Sequence, residues 1–336
     1  MKFLAACSFA AIVLLPVVSS AQWQPLPPWQ SPTGPGGGDY PWAQVTAAQY
    51  TNTQDPDLTY WIVAPQGWKG AGAAPAQVPL VVFLHGWGAN EPVYYQYWLA
   101  HLARKGRIVV FPMYQNSTTF SFLFAAKAIF SIQQAMSQIA AGTPGANGLL
   151  LDTTAGMTVI GHSFGATTGI NVAARYAANR LPRPRALLLL NPVNSMLDAS
   201  LAGVPSNTLL DCVVGDADDI VGRTGCDAVW DKTTHIRSAN RNYIWMYSDA
   251  HGSPALVANH FVPTILNALA FNGMWKLGDA LADCAAYQTE CATAVGGGVQ
   301  QTSMGWWSDG VPVHPLTVTT QKPVCPAGST AAGCGP

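Results

Sequence analysis

Mostly apolar runs recur along the chain, and stretches with helical spacing of apolar residues lie between them. A run that is apolar at every position suits a strand in a parallel sheet covered on both faces. Such strands are predicted at 78–84, 108–111, 157–160, 186–190, 209–214 and 243–247. Helices are predicted at 91–105, 120–140 and 165–178. Because strands and helices alternate, we expect an α/β fold with a mostly parallel central sheet and helices on both faces.

The N-terminus carries a targeting pattern. One basic residue precedes a mostly apolar run over residues 3–18, and small residues follow at 19–21. This pattern is typical of a secretory signal peptide over 1–21, and the run is shorter than the ~20 residues of a bilayer span. The alternative is an anchor helix. We predict a secreted, extracellular protein without stable membrane insertion.

The remaining chain divides into three predicted segments. Residues 22–75 are expected to form an N-terminal arm and the first strands, and the beginning of the arm, 22–42, is too rich in Pro and Gly for regular structure. Residues 76–275 are expected to form the α/β core. Residues 276–336 are expected to form a C-terminal appendage pinned by disulfides, because they carry four of the six cysteines that follow the signal peptide.

Cysteine spacing and charge limit the chemistry further. Six cysteines allow many pairings, but their spacing suggests three local disulfides: Cys212–Cys226, Cys284–Cys291 and Cys325–Cys334. The chain has no C-x-x-C pair of the kind that zinc sites use, so an oxidising compartment explains the cysteines better. The formal net charge is −1, with no local basic patch, which argues against a nucleic-acid partner.

One serine lies in a pattern typical of a nucleophile. Gly161-His162-Ser163-Phe164-Gly165 directly follows the predicted strand 157–160 and opens a predicted helix. A serine at the tip of such a sharp turn exposes its hydroxyl, and the flanking glycines let neighbouring chain segments approach. We predict that Ser163 is a nucleophile. The alternative is an ordinary glycine-rich turn.

A second loop supplies candidate oxyanion donors. His85-Gly86-Trp87-Gly88 follows the first strong strand, and loops at the carboxyl ends of parallel strands gather around one site. In enzymes with this type of turn, one donor comes from this loop and the other follows the nucleophile. We predict an oxyanion hole formed by the backbone N–H groups of Trp87 and Phe164. His85 is expected to orient the loop rather than to transfer protons.

A nucleophilic serine needs a base and a carboxylate that orients the base, in the chain order Ser, acid, His. Asp218, just past the predicted strand 209–214, is the first candidate acid, and Asp219 is the second. A calcium loop is the weaker interpretation, because too few oxygen ligands alternate there. His251 and His260 both follow the last predicted strand, and sequence position slightly favours His251.

With these motifs, the chain resembles the α/β-hydrolase superfamily and, within it, secreted esterases and cutinase-like polyester hydrolases. The resemblance covers roughly residues 76–272. It implies that Ser163 is the nucleophile and that Asp218 is the acid. It also implies that Phe164, beside the nucleophile, and the aromatic residue Trp87 are the oxyanion donors.

The same resemblance bears on the base. His260-Phe261-Val262-Pro263 looks like the His-Phe-x-Pro motif around the catalytic histidine of cutinase-like enzymes. The resemblance therefore moves the preference to His260 and leaves His251 as the alternative. The chain departs from the family pattern at Ala166, where a third glycine is common, and in its C-terminal appendage.

These observations predict a secreted serine hydrolase that cleaves carboxylic esters through a Ser-His-Asp triad and an acyl-enzyme. The expected partner is a small-molecule or polymeric ester, and no cofactor or metal is expected. One alternative is a catalytically dead hydrolase scaffold on which exposed Trp306 and Trp307 bind a polymer or glycan. Another alternative is a serine peptidase on the same fold.

Overall fold

A computed structural model describes residues 23–334, so the predicted signal peptide at 1–21 lies outside the described residues. The strands are β1 (Trp42–Tyr50), β2 (Tyr60–Trp68), β3 (Gln77–Val78), β4 (Leu80–Leu84), β5 (Ile108–Pro112), β6 (Leu150–Leu151), β7 (Met157–His162), β8 (Pro184–Leu190), β9 (Leu209–Gly215), β10 (Arg241–Met246) and β11 (Thr317–Thr319). The helices are α1 (Gln96–Arg104), α2 (Phe124–Ala140), α3 (Phe164–Ala174), α4 (Thr224–Lys232), α5 (Lys276–Tyr287), α6 (Cys291–Ala294) and α7 (Val299–Thr302).

A nine-stranded central sheet organises the molecule, in the order β1-β2-β5-β4-β7-β8-β9-β10-β11. The strands from β5 to β10 in this order run parallel to one another. At the edges, β1, β2 and β11 pair antiparallel. Every residue of β4, β5 and β7 is buried, as expected for strands covered on both faces. The predicted mostly parallel sheet is therefore present.

Helices cover both faces of the sheet. On one face, α2, α3 and α4 pack against the strands, and α1 and α5 pack on the other. In α2 the buried side chains of Ala128, Ile132, Ala135 and Ile139 form one stripe at helical spacing. A glycine with positive φ, Gly106, lies just past the end of α1, where the chain must leave the helix.

Several predicted elements have different ends in the structure. Pro79 divides the predicted strand at 78–84, so that β3 pairs with β6 in a separate two-stranded sheet and β4 begins after the proline. Proline has no N–H for the ladder, which explains the break. The predicted helix at 91–105 begins only at Gln96, after a 3-10 turn at Pro92–Tyr94.

The N-terminal arm packs on α1 and α5. It has no helix or strand from residue 23 to residue 41, as its composition predicts. The N–H of Gly36 donates to Asp279 Oδ2 at 2.8 Å, and His101 Nε2 and Arg107 Nη1 lie 2.8 and 2.6 Å from the same carboxylate. Burial alone would raise the pKa of Asp279, but His101 and Arg107 hold it well below its usual range. This buried cluster joins the arm to both helices.

The segment from residue 276 onward is part of the core. α5 buries Leu277, Ala280 and Leu281 on the sheet, and β11 extends the sheet beside β10. The predicted appendage thus contributes a helix layer and an edge strand. The structure corrects one expectation here: Trp306 is 61% exposed, but Trp307 is only 1% exposed and its Nε1 donates to Asp249. The two tryptophans therefore do not form a shared binding surface.

The three predicted disulfides are confirmed: Cys212–Cys226, Cys284–Cys291 and Cys325–Cys334. Each joins cysteines that are close in sequence, and disulfides of this kind persist in oxidising compartments. Within residues 23–334, none of the helices combines the length and the apolar character needed to cross a bilayer.

Candidate active site

Ser163 lies at the turn between β7 and α3. Its backbone has φ 57° and ψ −122°, a conformation that non-glycine residues rarely adopt. The N–H of Ser163 donates to the Leu190 carbonyl at 2.9 Å, and its own carbonyl accepts from Ala166 at 3.0 Å. The strained residue is therefore held by the neighbouring strand on one side and by the first turn of the helix on the other.

The two glycines of the motif are required by close backbone approach. A Cβ at Gly161 would lie 2.4 Å from the carbonyl oxygen of Gly165. A Cβ at Gly165 would lie 2.1 Å from the carbonyl oxygen of Leu84, at the end of β4. The sequence interpretation of these glycines matches the geometry, because both positions leave no room for a side chain.

Asp218 lies in the loop after β9 and is fully buried. Its Oδ2 is 2.8 Å from His260 Nδ1, and its Oδ1 accepts from the N–H groups of Ile220 and Val221, each at 3.0 Å. Burial alone would raise the pKa of Asp218, but the hydrogen bond and charge of His260 and the Val221 N–H keep it below its ordinary value. Asp219, the second candidate, is exposed.

The loop after β10 places the two candidate bases, His251 and His260, in different surroundings. Asp249 and Leu256 pair through two backbone hydrogen bonds of 2.8 Å, and this short antiparallel bridge carries His251 at its tip. His251 Nε2 lies 2.7 Å from Asp309 Oδ2, and His251 does not line the pocket that contains Ser163. His260 follows the bridge, lines that pocket and is 5% exposed.

The Ser163 hydroxyl and the His260 ring face one pocket but are not hydrogen-bonded. Within residues 23–334, no hydrogen bond joins Ser163 Oγ to His260. Because Nδ1 of His260 is engaged by Asp218, its Nε2 is the nitrogen left to receive a proton. Hydrogen bonds between a nucleophile and its base are often long in enzymes without substrate, and they shorten when the substrate binds.

Two backbone N–H groups lie where oxyanion donors are expected. Phe164 is the first residue of α3, so its N–H has no carbonyl one turn earlier to bond. Trp87 lies in a turn closed by a 3.1 Å bond from the Ala89 N–H to the Gly86 carbonyl, and no carbonyl of the described residues accepts from Trp87. Both residues line the pocket of Ser163, and their rings pack at 5.4 Å.

A chain of hydrogen bonds behind the pocket connects the two loops. The Gly86 N–H donates to Tyr95 Oη at 3.0 Å, and Tyr95 Oη lies 2.9 Å from His162 Nδ1. His162 Nε2 lies 2.9 Å from the His260 carbonyl. A carbonyl only accepts, so His162 donates from Nε2 and accepts from the Tyr95 hydroxyl at Nδ1. Burial and the nearby His260 lower the pKa of His162 to about 3, which keeps this ring neutral.

Sequence reasoning missed Tyr95 and gave His162 no role. Tyr95 fell within a predicted helix, where an aromatic residue is most often part of the core. Its partners, Gly86 and His162, are 9 and 67 residues away along the chain. The ring nitrogens of His85 face the carbonyls of Gly86 and Met113 at 2.7 and 2.6 Å, and its role in orienting the loop stays a prediction.

The pocket has a volume of about 730 Å³ and an apolar rim. Among the described residues, its walls contain no Asp, Glu, Lys or Arg side chain. Four large side chains at the rim are about half exposed, and they are Trp87, Tyr94, Ile220 and Phe261. The arrangement can bring a nucleophile, a base with its carboxylate and two N–H donors to an uncharged, largely apolar molecule.

Comparison with known proteins gives one finding for the family. Among curated proteins, a sequence search finds no match to the chain. The protein-family model for chlorophyllase matches residues 36–205, about half of the chain. This span includes Trp87, Ser163 and Phe164, and it ends before Asp218 and His260. The chain therefore belongs to the chlorophyllase family, an α/β-hydrolase-type family of carboxylic-ester hydrolases.

Proposed function

We propose that this protein is a secreted serine hydrolase with the α/β-hydrolase fold that cleaves carboxylic esters with a triad of Ser163, His260 and Asp218. The observation that carries the proposal is the 2.8 Å contact between His260 Nδ1 and Asp218 Oδ2, beside the pocket that Ser163 and His260 share. The strained turn at Ser163 and membership of an ester-hydrolase family point to the same reaction.

In the proposed reaction, Ser163 Oγ attacks the ester carbonyl carbon while its proton passes to His260 Nε2. The N–H groups of Trp87 and Phe164 stabilise the developing oxyanion, and the N-terminal end of α3 adds a favourable dipole. His260 then gives its proton to the leaving alcohol. Water hydrolyses the acyl-enzyme by the same steps in reverse order, which frees the acid and restores the Ser163 hydroxyl.

The pocket supports an uncharged ester with a bulky apolar part. Charged wall residues are absent among the described lining, and Trp87, Ile220 and Phe261 offer exposed apolar surface next to Ser163. Burying such surface against an apolar substrate contributes about 25 cal/mol per Å². Polyesters of the cutinase type and chlorophyll, which the family name indicates, are both candidates of this class.

Secretion is part of the proposal. The N-terminal pattern over 1–21 is typical of a signal peptide, and three disulfides fit an oxidising compartment.

Ser163→Ala tests the reaction. We expect the variant to lose roughly 10⁴-fold or more in kcat on p-nitrophenyl esters, while its unfolding midpoint stays close to that of the wild type. A panel of short-chain, long-chain and polymeric esters and chlorophyll defines the substrate class. Unchanged turnover in the variant, or a wild type that neither turns over any ester nor reacts with a fluorophosphonate, would contradict the proposal.

His260 and His251 form a matched pair for the base. We expect His260→Ala to lower kcat roughly 10⁴-fold, because the proposal assigns the Ser163 proton to His260 Nε2. His251→Ala removes a ring that contacts Asp309 outside the pocket, so we expect kcat within about twofold of the wild type. The reverse order of effects would assign the base to His251.

A further inference from the structure

The last described residues form a small closed loop. The disulfide Cys325–Cys334 closes it, and we call these residues the C-terminal loop. It lies beyond the residues that the family model matches and beyond every element of the central sheet. We call residues 215–223, which contain Asp218, the acid loop. The two loops are in direct contact.

Backbone hydrogen bonds join the two loops. The N–H of Ala332 donates to the carbonyl of Asp218 at 2.8 Å, and the carbonyl of Ala332 accepts from the N–H of Arg223 at 3.0 Å. The N–H groups of Thr330 and Ala331 donate to the carbonyl of Asp216 at 2.9 and 3.0 Å. The acid loop is thus bonded at its beginning, at Asp218 itself and at its end.

The contact is also tightly packed. A Cβ at Gly222 would lie 1.9 Å from the carbonyl oxygen of Ala332, so the two backbones leave no space between them. Ala331 is 1% exposed and belongs to the apolar core. The C-terminal loop is therefore fixed to the core and also contacts the acid loop. It can in this way restrict the movement of Asp218.

We propose that the C-terminal loop is a positioning element that holds Asp218 in the orientation needed to pair with His260. This inference rests on the proposed function, because it assigns Asp218 as the acid of the triad. The bridge Cys212–Cys226 closes the acid loop along the chain, whereas the C-terminal loop restrains it from outside. A carboxylate displaced by about 1 Å no longer orients the imidazole, and such displacements reduce the rate without weakening substrate binding.

Two alanines in the C-terminal loop offer a matched test. Each is the second residue of a four-residue turn, and each is followed by a glycine with positive φ, 76° at Gly328 and 85° at Gly333. Proline is favoured at this turn position. At Ala332, however, its ring takes the place of a hydrogen-bonded N–H and displaces the packed contact with the acid loop. Ala332→Pro removes the N–H that donates to Asp218, whereas the Ala327 N–H has no partner among residues 23–334.

We expect Ala332→Pro to lower kcat about threefold to tenfold, as one lost hydrogen bond predicts, with KM changed less than about twofold. Amide hydrogen exchange of residues 215–223 should become faster. Ala327→Pro should match the wild type in all three measurements.

The proposal is overturned if Ala332→Pro matches Ala327→Pro in kcat and in exchange. If Ala332→Pro does not unfold cooperatively, the double variant Cys325→Ser with Cys334→Ser replaces it, with the same expected effects and the same contradicting result. If the wild type cleaves no ester, the proposed function fails on its own. Hydrogen exchange then still decides whether the C-terminal loop restrains the acid loop.

Discussion

His162 is next to the proposed nucleophile, but both of its ring nitrogens are hydrogen-bonded to other groups of the protein. It accepts from Tyr95 Oη and donates to the carbonyl of His260, at 2.9 Å in both cases. A neutral ring with one N–H satisfies both partners, and a protonated ring would leave the Tyr95 hydroxyl facing another donor. Through Tyr95, His162 thus links the backbone of the proposed base to the loop of Trp87 by hydrogen bonds.

Tyr95→Phe tests this coupling. The change leaves the Gly86 N–H and His162 Nδ1 without their shared partner, next to the proposed oxyanion donor Trp87. We expect kcat to fall roughly tenfold with little change in KM, because a buried group left unpaired costs about 1–3 kcal/mol.

Tyr97→Phe is the control, since Tyr97 is exposed and lies outside the pocket of Ser163. Steady-state kinetics on one p-nitrophenyl ester compare the two variants. Equal kcat values for Tyr95→Phe and Tyr97→Phe would show that the hydrogen-bond chain does not support the reaction.

At the scale of elements, β9 carries a buried carboxyl group. Asp211 has no exposed surface, and its Oδ1 accepts from Nδ2 of Asn242, its partner on β10, at 2.8 Å. Burial raises the pKa of Asp211 to about 8, although the hydrogen bonds of Asn242 and Gln301 oppose the shift. The folded protein therefore holds a proton on this strand that the unfolded chain releases above about pH 4.

This difference predicts a pH-dependent stability. Between about pH 4 and pH 8 the unfolded chain binds fewer protons at Asp211 than the folded protein, so the free energy of unfolding falls as pH rises. We expect a slope of up to ~1.4 kcal/mol per pH unit from this group. Asp211→Asn should flatten the slope in urea titrations at pH 5 and pH 8. Asp219→Asn, at an exposed carboxyl, should leave it unchanged.

Elements with local signals were predictable from the sequence. The strand before Ser163 and the helix after it are visible as a change from solid apolar residues to helical spacing, and the short cysteine separations identified the disulfides. Position in the sequence did not show that His260, rather than His251, lines the pocket of Ser163. The bridge between Asp249 and Leu256, which carries His251 at its tip, forms only in the folded chain.

At the scale of the whole molecule, the N-terminal arm is held at Gly36 by a buried hydrogen bond to Asp279. Gly36 has φ +75°, and a Cβ there would lie 2.6 Å from the carbonyl oxygen of Phe271. Gly34 has a similar φ of +80°, but a Cβ there would meet nothing within 4 Å. The two glycines have a similar positive φ, but an added side chain would be crowded only at Gly36.

Gly36→Ala and Gly34→Ala separate these contributions. We expect Gly34→Ala to lower the free energy of unfolding by about 1 kcal/mol, the cost of a side chain at positive φ. Gly36→Ala should lower it by about 2 kcal/mol more, because the arm must move off Phe271 and Asp279. Urea unfolding midpoints measure both, and equal losses would show that the arm adds little stability.

Contacts that span the molecule left no signal in the sequence. The arm reaches Asp279 across 243 residues, and the C-terminal loop reaches Asp218 across more than 100. Neither pair has a motif, since the donors are backbone N–H groups, which every residue except proline possesses. The Pro and Gly content predicted an arm without regular structure, and only the folded chain shows what the arm covers.

The contact between Gly165 and the end of β4 has a consequence for how this scaffold can diversify. β4 and β7 are hydrogen-bonded neighbours, so the turn that carries Ser163 and Phe164 is fixed against the end of β4, from which the loop of Trp87 continues. Tyr94, Ile220 and Phe261, in contrast, come from loops at the rim. Substitutions at the rim can therefore change the substrate preference while the proposed reacting groups keep their positions.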